Sequence, residues 1–144
     1  MRKRSLARDW ALKVLYQADI IGKTRSIELI LQQFFENEEE KSAEIQDFCR
    51  QIVMGSKEHL PEIDGLISQY ATNWQLKRMA VIDKNILRMG VFELKYIPEI
   101  PPKVTINEAV ELAKKFGDLE SSRFVNGILD KIFKTEIVPL GKKL

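Results

Sequence analysis

Cysteine is nearly absent: Cys49 is the only one in 144 residues, so no internal disulfide can form and a reducing, cytoplasmic compartment is expected. Histidine is as scarce. His59 has neither a cysteine nor a second histidine to complete a ligand set, so no metal site is expected. No apolar stretch reaches the roughly 18 residues that begin to suggest a bilayer span, and the amino terminus shows no apolar signal region, so no membrane partner is expected. Seven glycines and five prolines are too few for a collagen-like or disordered chain; Pro98, Pro101, Pro102 and Pro139 fall in connections or the tail, and Pro61 falls at a helix start. Alternating apolar and polar residues, the mark of a half-buried strand, are missing. So are a Gly-rich phosphate loop, a G-x-S-x-G turn and any other motif with a catalytic mechanism, so neither catalytic residues nor a cofactor are expected.

What the chain does have is helical period and segregated charge. Its length suits one domain, and 44% hydrophobic residues with mixed charge are ordinary for a globular protein. The net charge of +2 hides an asymmetry: residues 1–25 carry seven basic side chains against two acidic, and residues 28–47 carry seven acidic against one basic. A local field of that kind steers a polyanion even when the total is small, so the basic end is where nucleic acid is expected.

The stretch Asp83 to Ile97 organises the rest. On a helical wheel Leu87, Val91 and Leu94 form one apolar face and Met89, Phe92 and Tyr96 the opposite one, with Lys84, Arg88 and Lys95 in a narrow polar seam. A helix apolar nearly all round is a buried one, here a hub. Before it, helices are expected at about 3–19, 26–35 with Ser26 as cap, 42–57 and 61–71, followed by a turn through Trp74 and Leu76. Asp83 stands where the hub's N-cap should be. After Pro98 stops the hub, PEIPPK reads as a stiff connection, Thr105 to Glu108 as a capping box, and Gly117 as that helix's close. A last helix at about 122–134 contains Gly127, read as permitting close helix contact. The expected fold is all-α: about seven helices in two packed three-helix bundles, residues 1–73 and 74–135, around the hub, with a short tail.

Basic and aromatic residues coincide twice. Arg4, Arg8, Leu12 and Tyr16 recur at i, i+4 spacing along the first helix; the row is either a solvated basic face or a phosphate-contacting strip ending in a stacking platform. Lys114, Lys115, Arg123 and Phe124 surround the turn FGDLESSRF, where Phe124 is either core packing or a surface for an unstacked base. Cys49 lies on an apolar helix face and reads as an inert buried thiol.

Several of these residues also carry a resemblance. R-x-x-A-R (Arg4, Ala7, Arg8), Leu15-Tyr16, Ile86-Leu87-Arg88 with Glu93-Leu94, VTINEAVELA (Val104 to Ala113) and FVNGILD (Phe124 to Asp130) follow the order and spacing of the NusB family, which the chain resembles over almost its whole length. The resemblance implies a non-catalytic factor of two three-helix bundles that binds single-stranded boxA RNA of ribosomal RNA leaders together with NusE, a small-subunit ribosomal protein. Through other Nus factors and RNA polymerase, reached indirectly, it would suppress Rho-dependent termination. It implies RNA contacts at Arg2, Lys3, Arg4, Arg8, Tyr16 and Phe124, with Lys115 and Arg123 in the same basic-aromatic cluster. It also implies a partner-side role for Asp83 and an affinity-tempering carboxylate at Glu120. A homodimer stays open, as do two other readings: an RNA-binding appendage like that fused to ribosomal RNA methyltransferases, and a pure protein-interaction adaptor.

Overall fold

The computed structural model describes residues 2–72 and 75–143, apart from the side chain of Lys23, and every regular element among them is helical. Seven α-helices follow in order: α1 (Lys3–Ile21), α2 (Ile27–Asn37), α3 (Ala43–Glu58), α4 (Leu60–Tyr70), α5 (Val81–Tyr96), α6 (Pro102–Phe116) and α7 (Ser121–Ile132). Short 3-10 turns occupy Gly22–Thr24 and Leu76–Arg78, and α7 runs on through a π-type turn, Phe133–Ile137, and a 3-10 turn, Val138–Leu140. The expected turn residue Trp74 lies outside the described residues.

The chain divides into two compact units, Met1–Glu58 and His59–Leu144. The boundary expected near residue 73 therefore moves forward, because α4 packs on α5 and α7. In the first unit α1 lies against α3 and α2. Ala7, Ala11 and Val14 are fully buried, small side chains that let the helices approach closely. Trp10 meets Phe34 at 5.7 Å in a near edge-to-face contact and Phe35 at 6.0 Å. Ser26 caps α2 as expected, its hydroxyl accepting the Leu29 N–H at 3.2 Å. At the other end of α2, Lys41 Nζ donates to the carbonyls of Phe35 (2.8 Å) and Glu36 (3.1 Å), so the acidic run that follows α2 is tied down by its single lysine.

In the second unit α5 is enclosed by α4, α6 and α7, and every residue from Asn85 to Leu94 is buried. Burial leaves its polar side chains dependent on protein partners. Three of them, Asp83, Arg88 and Glu93, are five residues apart, and at 3.6 residues per turn each points about 140° round the helix from the last. Arg88 and Glu93 accordingly meet different helices. Arg88 donates from Nε and Nη2 to both Asp64 carboxylate oxygens on α4, at 2.8 and 2.9 Å, and from Nη1 to Asn85 at 3.2 Å. Glu93 accepts the Thr105 hydroxyl of α6 at 3.1 Å. Asp83 is buried in the first turn of α5, and its Oδ1 has no hydrogen-bond partner.

Three local expectations are overturned. Asp83 is not the N-cap: α5 opens at Val81 after Ala80, and Asp83 sits buried in its first turn. Thr105 caps nothing either. α6 begins at Pro102, whose missing N–H suits a first helical position, so the last residues of PEIPPK are helix rather than connection. Gly127 is exposed and a Cβ there would meet nothing within 4 Å; the glycine of close approach is Gly90, where a Cβ would lie 2.8 Å from Leu129 Cδ1. The C-terminal carbonyls of α5 are closed from the tail, by Lys142 Nζ donating to Glu93 (3.1 Å), Leu94 (3.3 Å) and Ile97 (2.9 Å). Because Leu129 is itself fully buried, Gly90→Ala is expected to lower stability by about 1–3 kcal/mol in urea unfolding; an unchanged midpoint would contradict the close contact.

Candidate nucleic-acid interface

The first basic patch is built on the amino-terminal turn of α1. Arg2, Lys3 and Arg4 are exposed, no acidic residue occupies that turn, and Arg2 at the capping position makes no side-chain cap bond. Cations at the positive end of a helix dipole work against the helix, and together with its free N–H groups they make an anion-attracting end. Lys3 is held at 3.1 Å by Glu44, an exposed pair of little stability value that a phosphate can replace. Arg4 lies over the Phe48 ring of α3, 4.6 Å from its centroid.

Arg8 departs from the expected strip. It is only 3% exposed, with its guanidinium 5.2 Å from the same Phe48 ring. Its reach is spent on packing α1 to α3 rather than offered to solvent, which corrects its expected place on a solvated face. The shared ring of Phe48 was not singled out from the sequence, where it looked like one more apolar position. Tyr16, about two turns further on, is 40% exposed and so presents much of its ring.

The second patch lies in the other unit, around the α6–α7 turn. Lys115 and Arg123 are exposed and Phe124 is half-buried; Lys115 Nζ stands 5.1 Å from the Phe116 ring centroid. Glu120 is exposed in the turn just before α7. Its backbone N–H donates to Asp118 Oδ1 at 2.9 Å and its carbonyl accepts from Phe124 N–H at 3.0 Å. Beneath the turn, Ser121 Oγ accepts the Asp118 N–H at 3.0 Å and donates to Asp118 Oδ1 at 3.2 Å. Asp83, expected on a partner-facing surface, is instead buried against this turn at 9% exposure, with Oδ1 lacking a hydrogen-bond partner.

Cys49 and His59 are both taken up in packing. Cys49 is buried and its thiol is pushed up to about 12 by that burial, so it stays protonated. His59 stacks on Tyr96 at 4.0 Å. Among the described residues no three His, Cys, Asp or Glu side chains gather as metal ligands, and no helix is long and apolar enough to cross a membrane.

A helical scaffold presenting cations and partly exposed rings has the make-up of a binding module. Residues 5–134 match the NusB family, and the chain belongs to it. It is 44% identical over 142 residues to the transcription antitermination protein NusB of Thermodesulfovibrio yellowstonii, covering 94% of each chain. Its fold matches T. maritima NusB with a TM-score of 0.86 at 37% identity, over 95% of this chain and 94% of that one. It also matches a chain in the crystal structure of antitermination factors NusB and NusE in complex with dsRNA, with a TM-score of 0.83 at 30% identity, over 93% and 98% of the two chains.

Burial pushes the Asp83 carboxyl above the usual carboxylate range; the Ser121 bond partly offsets this and nearby Asp118 adds to the rise. The folded state therefore binds this proton more tightly than the unfolded state, and ionised Asp83 costs stability as pH rises from about 4. Asp83→Asn is expected to melt above wild type at neutral pH, with the gap closing toward about pH 4. A gap independent of pH would contradict the assignment.

Proposed function

We propose that this chain is an RNA-binding transcription antitermination factor that acts with NusE on boxA-type single-stranded RNA and suppresses Rho-dependent termination, other Nus factors and RNA polymerase being reached through that assembly. The observation that carries the reading is the first turn of α1. Three exposed cations at the positive end of a helix, with no acidic side chain in that turn, are a standing cost to the fold that an anionic partner removes. The likeness to a NusB crystallised with NusE and RNA supports the same partner class.

Arg2, Lys3, Arg4, Lys115 and Arg123 neutralise phosphates, and Tyr16 and Phe124 stack on unpaired bases. Arg8 acts from beneath, holding Phe48 and through it Arg4. Glu120, exposed beside Phe124, repels phosphate and tempers affinity. NusE supplies the added contact that so few cations need for useful affinity.

The experiment is equilibrium binding of fluorescent boxA-type RNA, single-stranded and duplex, with and without NusE. About four to six phosphate contacts on a single strand predict a drop of roughly 50- to 300-fold between 50 and 200 mM salt. Phe124→Ala is expected to weaken binding by about 1–3 kcal/mol and Arg4→Ala to reduce the salt slope by about one, while Glu120→Gln tightens binding. No binding even with NusE present, or duplex preferred to single strand, would overturn the reading.

A further inference from the structure

Two contacts set the level at which the helices of the second unit stand. Glu93 of α5 accepts the Thr105 hydroxyl of α6, and the chain reverses between them, so Gly117, twelve residues beyond Thr105, is level with Val81, twelve residues before Glu93. Gly90 of α5 faces Leu129 of α7, which runs the same way as α5, so Ser121 is level with Ile82, each eight residues earlier. A Cβ on Gly117 would lie 2.4 Å from Ser121 Oγ, which independently brings the end of α6 and the start of α7 together. The opening of α5, the close of α6 and the opening of α7 therefore form one end of this unit.

The 3-10 turn Leu76–Arg78 enters α5 at that end. It is a fixed turn: the Arg78 N–H donates to the Gln75 carbonyl at 2.9 Å, the Met79 N–H donates to the Leu76 carbonyl at 3.1 Å, and Met79 is buried. Lys77 and Arg78 stand exposed on it, and among the described residues neither has an ion-pair partner. Arg78 is three residues before Val81, and three residues of chain span no more than about 11 Å, so its Cα lies within that distance of the first residue of α5. Lys115 comes to the same end from α6, and Arg123 and Phe124 from α7. Of the carboxylates there, Asp83 is buried and Asp118 accepts the Glu120 N–H and the Ser121 hydroxyl. The four exposed cations thus stand against two exposed carboxylates, Asp118 and Glu120, and their field attracts a polyanion.

We propose that Lys77 and Arg78 are further phosphate contacts, which carry an RNA single strand on from Phe124 to the entrance of α5. The proposal rests on the function proposed above and extends its second patch from two cations to four. The ring of Phe124 at the same end, suited to an unpaired base, favours a nucleic-acid strand over an acidic protein face.

The test is equilibrium binding of fluorescent single-stranded boxA-type RNA to the full chain with NusE present, between 50 and 200 mM salt. The double variant Lys77→Gln, Arg78→Gln is compared with Lys131→Gln, Lys134→Gln, which removes two exposed cations from the far end of α7 and the turn that continues it. Two phosphate contacts on a single strand contribute about 1.4 to the salt slope, so the first variant is expected to bind roughly tenfold more weakly than wild type at 50 mM salt and within about twofold of it at 200 mM. The second variant is expected to match wild type throughout. Equal losses in the two variants, or an unchanged slope in the first, overturn the proposal. So does an equal loss in the binding of NusE without RNA, which assigns the cations to the protein partner. A wild type that binds no RNA defeats the proposed function and this extension together, whereas normal wild-type binding with an unaffected Lys77→Gln, Arg78→Gln variant defeats the extension alone.

Discussion

The burial of α5 is the constraint on which the second unit depends. A helix enclosed on all sides cannot leave a charge or an amide facing its neighbours without a partner, because desolvating such a group costs more than the surrounding packing returns. Arg88 and Glu93 meet that condition by turning about 140° from one to the next, so that one addresses α4 and the other α6. Apolar packing alone would admit several arrangements of three helices around a fourth. Two polar bonds of different chemistry, Arg88 to Asp64 and Thr105 to Glu93, fix the sides on which α4 and α6 lie. Gly90 sets how near α7 comes, since Leu129 occupies the space a side chain would need.

The two basic patches are built on opposite principles. At α1 the fold tolerates a local cost, cations crowding the positive end of a helix, and supports Arg4 on a ring shared with the buried Arg8. At α7 the cations and Phe124 sit on a turn tied by the hydrogen bonds between Ser121 and Asp118. One patch spends stability on charge; the other is placed by the side-chain hydrogen bonds of its own turn.

Much of the fold was legible because amphipathic period is a local signal. The seven helices and the Ser26 cap follow from side chains within one or two turns of each other. The expectations that failed share a cause. Asp83 and Thr105 have the chemistry of caps, yet each helix opens ahead of them, at Val81 and Pro102, and Thr105 is claimed instead by the buried Glu93 of α5. Arg8 fits a solvated row by spacing and is buried because Phe48 faces it from α3. Gly127 looked like the helix-contact glycine, but only the facing side chain, Leu129 against Gly90, identifies which glycine is needed. The cations and aromatics of the candidate interface were visible as residue types in clusters, whereas the ring beneath Arg4 depends on a contact between helices that periodicity does not encode.

The central claim is that nucleic acid is met by the exposed start of α1 and the start of α7. Amide chemical-shift mapping during titration with boxA-type RNA and NusE tests it most directly. The account predicts that RNA-dependent changes concentrate at Arg2 to Arg4, around Tyr16 and from Glu120 to Phe124. Changes confined to other surfaces, such as the outer faces of α2 or α4, would contradict it.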